Sequence, residues 1–280
     1  DTDTVHILEP AIVGRHIRRA GEDVTRGHVV IAASTELGPG EIAMLAAQGI
    51  AEVEVHRRPI VSVIPTGSEL CEVGQPLEPA QIYNSNAMML EAQLTRAGAI
   101  PKRCAIVPDD QDALVRALQE AARDSDLIIT SGGVSVGDFD HVTKTLHQKG
   151  DVSFWKVAIK PGKPLAFGSI AQTPVLGLPG NPVSAFVCFE LFARPALDTL
   201  RGLNSSEPPS MMAALGESVR QSDTREQFLR GRLRREGSAW VVDLLSHQGS
   251  GQLSSLVDIS CLVQISIGSE ALREGTLVPC

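Results

Sequence analysis

PIVSVIPTGSEL, residues 59–70, decides the fold. Ile60-Val61-Ser62-Val63-Ile64 is an almost continuous apolar run, closed by Pro65-Thr66-Gly67. A strand with one wet face alternates apolar and polar residues, whereas a strand covered on both faces does not. This run therefore reads as a strand buried on both sides. The same character returns in Cys104-Ala105-Ile106-Val107, in Leu127-Ile128-Ile129-Thr130 and in Val175 to Leu178. Between them lie two helices. Ala87 to Ala97 places Ala87, Leu90, Leu94 and Ala97 on one face, and Ala113 to Arg123 places Leu114, Ala117, Leu118 and Ala121 inward. Buried strands alternating with amphipathic helices predict an α/β fold with a central, doubly wound, mostly parallel sheet. Ligands of such sheets bind beyond the carboxyl ends of the strands. The loops after Ile64, Val107, Thr130 and Leu178 are thus where chemistry is expected.

Outward from this centre the pattern changes twice. Residues 1–58 read as a partial small α/β piece, with strands at Val5–Leu8, Val29–Ile31 and Val53–Val55. A short helix lies between Pro39-Gly40 and Gly49, with Ile42, Leu45 and Ala46 at helical spacing. So small a piece makes a poor core alone and is expected to pack on something else. The α/β domain occupies 59–206. After the linker-like Ser205-Ser206-Glu207-Pro208-Pro209, residues 207–280 carry short strands near 229–233, 240–244 and 262–265. These are separated by Gly and Ser, as in a small all-β, barrel-like domain.

Composition excludes several classes of function. Apolar and charged fractions of 43% and 21% are those of an ordinary globular protein. A formal charge of −8 offers no overall attraction to nucleic acid or to an anionic membrane, so neither is expected as a partner. No run of about 18 apolar residues and no signal-peptide pattern is present. The five cysteines are scattered, with no CxxC or Cys/His spacing, which argues against a disulfide scaffold or a zinc site and fits a reducing cytoplasm.

Three segments could carry chemistry. Ser131-Gly132-Gly133-Val134-Ser135-Val136-Gly137-Asp138 follows a strand and precedes a helical stretch, Asp140 to Gln148. Glycines there let backbone N–H groups approach an anion, and Asp138 and Asp140 would hold a cation between themselves and phosphates. The plainer alternative is a glycine-rich bend. In Trp155-Lys156-Val157-Ala158-Ile159-Lys160-Pro161-Gly162-Lys163, a continuous strand would put Lys156 and Lys160 on one face, aimed at the 131–138 loop, with Lys163 just past the turn. Such lysines would clamp an oxyanion, or else simply decorate a solvated edge strand. Third, Pro179-Gly180-Asn181-Pro182 joins a strand to an apolar helix that runs to about Leu200. It is either a helix-terminus anion site or a rigid corner. Glu69 and Asp109-Asp110 complete the set at strand ends.

Taken together, SGGVSVGDFD (131–140), FWKVAIKPGKPLAFG (154–168) and GLPGNPVSAF (177–186) resemble the signature of the molybdopterin molybdenumtransferase family, the MoeA proteins and the E domain of gephyrin. IVSVIPTGSEL (60–70), IYNSN (82–86), PDD (108–110), RRAGEDV (18–24) and HQGSGQLSSL (247–256) extend the resemblance along the whole chain. It implies an enzyme of molybdenum cofactor biosynthesis that takes adenylylated molybdopterin and molybdate, inserts the metal at the dithiolene and releases AMP with the help of Mg²⁺. Carried over by position, Glu69, Asp109, Asp140, Lys156 and Lys160 are the catalytic candidates. Asp23, Ser131, Gly132, Gly133, Ser135, Gly137, Lys163, Pro179, Gly180, Asn181, Pro182 and Ser250 are the substrate-binding candidates, and Asp138, Asp140 and Glu69 the metal candidates.

The resemblance further implies a homodimer, with residues 1–58 in an elongated dimerisation and cleft region, and makes the upstream adenylyltransferase a candidate partner. It also implies an N-terminal region with an ALDGYA-like segment that this sequence does not carry. Ser68 and Asn84 stand where the family commonly has Asp. Two other functions stay open: a gephyrin-like dimeric scaffold, and a different nucleotide-processing enzyme on the same fold.

Overall fold

The computed structural model describes residues 3–134, 141–204, 210–220, 224–268 and 271–280, apart from the side chains of Phe154 and Trp155. The chain divides into two compact units, Asp1–Glu54 and Val55–Cys280. In the first unit one helix forms, α1 (Pro39–Ala47). Pro39 sits at its first turn, and the Glu41 carboxylate accepts the Gly38 N–H at 3.0 Å. The strands expected at Val5–Leu8, Val29–Ile31 and Val53–Val55 do not form. Val5, Leu8, Val13 and Val29 are all more than three-quarters exposed. A strand needs a paired neighbour for its backbone and a covered face for its side chains, and the unit supplies neither.

The second unit is built on the strand the sequence announced. Its elements run β1 (Ile60–Pro65), β2 (Leu70–Cys71), β3 (Ile82–Tyr83), α2 (Ser85–Arg96), β4 (Ile100–Arg103), α3 (Gln111–Ala121), β5 (Leu127–Ser131) and α4 (His141–Lys149). Next come β6 (Asp151–Trp155), β7 (Ile159–Lys160), β8 (Ala166–Ile170), β9 (Thr173–Leu178), α5 (Pro182–Cys188), a π-turn (Phe189–Ala193) and α6 (Arg194–Leu200). The main sheet has the order β4-β1-β5-β9-β8-β6. The first four strands are parallel, and β8 and β6 extend the sheet antiparallel.

Side chains alternate between two cores, as a strand requires. Val61, Val63, Leu127, Ile129, Leu176 and Leu178 meet Leu90 and Leu94 of α2 and Val183, Val187 and Leu197 of α5 and α6. Ile64, Ile128 and Val175 face the other way, onto Leu114 and Leu118 of α3 and Val142 and Leu146 of α4. Helices therefore cover both faces, and the sheet is doubly wound. The one polar residue in the β1 run, Ser62, is fully buried and shares a 2.7 Å hydrogen bond with Ser125. At the strands' entry, the Asp126 carboxylate accepts the Ile60 N–H at 2.8 Å and pairs with Arg57, which holds its pKa below the usual range.

Two sequence expectations shift here. The strand beside β1 is residues 100–103, not 104–107: Ile60 pairs with Ile100 and Val63 with Arg103. This is an edge strand with Ile100, Lys102 and Arg103 exposed, so it needs no apolar continuity. Residues 104–107 add only the Cys104 N–H bond to the Val63 carbonyl, at 2.9 Å, and the Thr66–Val107 bridge. Nor is 156–160 one strand. β6 ends at Trp155, and Lys156 turns into the left-handed region at φ 69°. The Val157 N–H bonds back to the Lys163 carbonyl at 3.0 Å. β7 then leaves the main sheet altogether and pairs with a strand near the C-terminus. Lys156 and Lys160 do not share a strand face.

That C-terminal sheet comprises β10 (Met212–Leu215), β11 (Glu226–Glu236), β12 (Ala239–Leu244), β13 (Cys261–Ile265) and β14 (Leu277–Pro279), in the order β13-β11-β12-β10-β14 with β7 alongside β11. The β11–β12 hairpin turns at Gly237-Ser238, where Gly237 takes φ 61° as tight two-residue turns demand. Ala213, Leu215, Val242, Val263, Ile265 and Val278 form its own core.

Ile129, fully buried at the centre of the main sheet, provides the test of this layering. Ile129→Ala should cost about 2–5 kcal/mol of unfolding free energy in urea denaturation. A loss below about 1 kcal/mol would show that this face of the strand is not packed against α2 and α5.

Candidate functional site

In chain order the main sheet is built outward from β1 to β4 on one side, then continues through β5 and β9 on the other. The direction reverses between β1 and β5, and at such a reversal the loops on either side splay apart and leave a crevice. The loops do not drift, because ladder-type bonds continue past the strand ends. Thr66 N–H donates to the Ser131 carbonyl, Gly67 N–H to Val107 and Gly132 N–H to Leu178, each at 3.0 Å. Gly132 adopts φ 96°, and a Cβ there would stand 2.6 Å from the Thr66 carbonyl oxygen. Only glycine lets the two loops come this close.

The crevice is a cavity of about 780 Å³. Its walls take Thr66, Gly67 and Glu69 from the loop after β1, Asp109 from the loop before α3, and Ser131, Gly132 and Gly133 from the loop after β5. Pro179, Gly180, Asn181 and Pro182 come from the turn after β9. Nine residues singled out from sequence thus meet here: Glu69, Asp109, Ser131, Gly132, Gly133, Pro179, Gly180, Asn181 and Pro182. Ser250 stands next to the wall, accepting a hydrogen bond from Asn181 Nδ2 at 3.1 Å, while its carbonyl accepts the Val183 N–H at 3.1 Å. Glu69 and Asp109 are the charged groups among the described lining residues. Asp109 is fixed reciprocally by Ser68: its Oδ2 accepts the Ser68 N–H, and its own N–H donates to Ser68 Oγ, both at 3.1 Å.

Other candidates lie elsewhere. Ser135, Gly137, Asp138 and Asp140 fall outside the described residues. Asp23 is exposed in the first compact unit. From the lysine stretch the cavity wall takes Pro164, not Lys156, Lys160 or Lys163. The turn carrying these lysines is held down at Gly162, whose φ is 111° and whose carbonyl accepts the buried Cys188 thiol at 3.6 Å. Burial pushes that thiol's pKa up to about 12, so Cys188 is a packing group and not a nucleophile. Among the described residues no cluster of three or more His, Cys, Asp or Glu side chains is placed to hold a metal.

The sequence reading missed several groups. Asn84 caps α2, accepting the Ala87 N–H at 3.3 Å, and Asn86 donates to Ser131 Oγ at 2.9 Å and to the Gly180 carbonyl at 2.7 Å. Both line the cavity, as do Gly251 and Leu253 from the C-terminal part. That last segment owes its shape to Arg230. This arginine is fully buried, and burial pushes its pKa down. It donates to the carbonyls of His247 and Gly249 at 2.9 and 3.1 Å and to Ser255 Oγ at 3.2 Å. Its own backbone bonds both ways with the Gln248 side chain, at 3.0 and 2.9 Å. The IYNSN and HQGSG motifs were visible, but the groups they bond are far away in sequence.

Comparison with known proteins places this geometry. Residues 62–199 match the family model for a probable molybdopterin binding domain. Residues 1–49 match the MoeA N-terminal region (domain I and II), and 212–280 the MoeA C-terminal region (domain IV). The molybdopterin molybdenumtransferase of Haemophilus influenzae is 38% identical over 263 residues, 93% of this chain and 65% of that protein. Molybdopterin molybdenumtransferase 2 of Mycobacterium tuberculosis is 44% identical over 234 residues, 81% and 58% respectively. Two crystal structures of the molybdopterin biosynthesis MoeA protein from Pyrococcus horikoshii superpose with TM-scores of 0.81 and 0.76. Each is 31% identical and covers 92% of this chain and 63% of its own. The chain therefore spans less than two thirds of the length of these relatives.

Removal of the buried guanidinium tests how the C-terminal wall is held. Arg230→Ala leaves two carbonyls unmet and a hole in the packing, and should cost about 2–4 kcal/mol in urea denaturation. It should also raise amide exchange across 247–255. Unchanged exchange in that segment would mean Arg230 does not hold it.

Proposed function

The chain belongs to the molybdopterin molybdenumtransferase (MoeA) family, and from that footing we propose that it inserts molybdate into adenylylated molybdopterin, releasing AMP and yielding molybdenum cofactor. The observation that carries this reading is the convergence of Glu69, Asp109, the 131–133 loop and the 179–182 turn on one cavity at the reversal point of the sheet. Glycines at 132 and 133 let backbone come close to a pyrophosphate. Ser131, Gly180, Asn181 and Ser250 offer neutral polar contacts around it. The two carboxylates would repel a bare pyrophosphate. Their oxygens are the hard donors Mg²⁺ prefers, and it commonly binds through one or two carboxylates plus substrate phosphates. Glu69 and Asp109 are assigned as its protein ligands, with Asp138 and Asp140 as further candidates. When bound there, the cation would supply positive charge against the phosphates.

Lys156, Lys160 and Lys163 are assigned to the molybdate oxyanion at the rim, since an acidic chain must gather positive charge locally to hold a dianion. The lysine stretch reaches the cavity through Pro164. Asp23, Ser135 and Gly137 complete the substrate-binding assignment. We further assign a homodimer acting in the cytoplasm, the upstream adenylyltransferase as supplier of substrate, and a three-part organisation with bounds near 58 and 206. Exposure of Val5, Leu8 and Val13 in the first unit supports a covering subunit. A monomer in sedimentation at micromolar concentration would count against the dimer. No helix of the described residues is long and apolar enough to cross a membrane.

Titration calorimetry should show adenylylated molybdopterin binding in clear preference to molybdopterin and to pyridine nucleotides, and the reading fails if the three bind alike. Lys160→Ala should lower molybdate-dependent AMP release at least about tenfold, roughly 1.4 kcal/mol, with folding stability almost unchanged. Undiminished release would remove Lys160 from the anion site.

A further inference from the structure

We propose that Asn86 is a positioning residue that sets the gap between the two ligand loops of the cavity, 131–134 and 179–182. The proposal rests on the reading of that cavity as the adenylylated-molybdopterin site. Asn86 lies in the first turn of α2, a helix anchored in the core by Ala87, Leu90 and Leu94, so its backbone is fixed independently of either loop. Its amide has two N–H donors and both are used. One goes to Ser131 Oγ at 2.9 Å, at the end of β5, and the other to the Gly180 carbonyl at 2.7 Å, just beyond β9. A backbone carbonyl only accepts, so the NH₂ must face it and the amide cannot be turned over. The two loops are close enough that a Cβ on Gly180 would stand 3.7 Å from the Gly132 Cα. Fixing the Gly180 carbonyl also fixes the plane of the Gly180–Asn181 peptide. Asn86 therefore ties both loops to a third, rigid element.

Asn86 Oδ1 is buried and has no hydrogen-bond partner among the described residues. Its neighbour Asn84 is 2% exposed, and its Nδ2 is likewise buried without one. Leaving a buried acceptor unmet costs free energy, and such a group calls for a partner such as ordered water, an ion or a ligand. Both residues line the cavity. The wall of this site thus carries two neutral amides: Asn86 ties the loops through its donors and keeps a spare acceptor, and Asn84 caps α2 through its acceptor and keeps a spare donor.

Asn86→Asp tests this with almost no change in shape. The carboxylate faces the Gly180 carbonyl with no proton to offer, so the 179–182 turn loses its tie while the Ser131 hydroxyl can rotate to donate to it, and protonation at low pH restores one donor. Measured by calorimetry, the affinity of Asn86→Asp for adenylylated molybdopterin should fall at least about tenfold below wild type at pH 8, with the deficit shrinking toward pH 5. In the ligand-free protein, Asn86→Ala should raise amide exchange in 131–134 and 179–182 together while core strand amides stay protected. A wild-type affinity for Asn86→Asp at pH 8 overturns the proposal, as does exchange that rises uniformly through the molecule or in neither loop. Should the wild type itself not bind this ligand, the cavity's functional reading fails. The exchange experiment then decides the role of Asn86 by itself.

Discussion

Burial of β1 on both faces is the constraint from which the rest of this structure follows. A strand with no wet side needs neighbours on both edges and cover above and below, and here the neighbours are parallel and the cover is helical. β4 and β5 flank it, and α2 and α3 take opposite faces. Because the chain moves outward from β1 in one direction and returns past it in the other, the loops at its carboxyl end cannot close over one another. The crevice is a consequence of topology, present before any particular side chain is chosen. Sequence then decides what lines it. Small residues at 132, 133 and 180 allow backbone to serve as the inner surface, and Glu69 and Asp109 bring charge from two loops joined at Ser68.

The centre of the fold was legible because its physics is local. Apolar continuity marked β1 and β5, and helical spacing marked α1, α2 and α3, each within a few residues of its observed ends. What was misread depended on partners. β4 is polar because it is an edge, so the apolar run just after it drew attention to 104–107 instead. Val5–Leu8 and Val29–Ile31 have strand-like composition but nothing to pair with in their unit. Lys156 and Lys160 looked coplanar only under the assumption of an unbroken strand. A left-handed turn at Lys156 and the capture of Ile159–Lys160 by β11 remove that assumption, and no pattern in the stretch forecasts either event.

Within the site, legibility divides the same way. The loops beyond the strands could be chosen from the position rule, and nine residues singled out there and by the family resemblance meet in one cavity. The groups that hold those residues in place could not. Asn86 acts on loops 45 and 94 residues further along, and Arg230 shapes a segment some twenty residues away through backbone carbonyls, which carry no sequence signature. Among the described residues, the C-terminal part contributes to the site through that segment between β12 and β13, with Gly251 and Leu253 in the wall and Ser250 bonded to Asn181. Carboxylates, glycines and the amides of Asn84, Asn86 and Asn181 line the ligand space, while the buried Arg230 guanidinium organises the backbone behind it.

The central claim is that the sheet's reversal point is the binding site of an adenylylated pterin. The measurement that tests it most directly is an experimental structure of the chain with adenylylated molybdopterin bound. The account predicts the pyrophosphate against the backbone of Gly132 and Gly133, between the Glu69 loop and the 179–182 turn. A ligand seated elsewhere, on the C-terminal sheet or outside these loops, would contradict it.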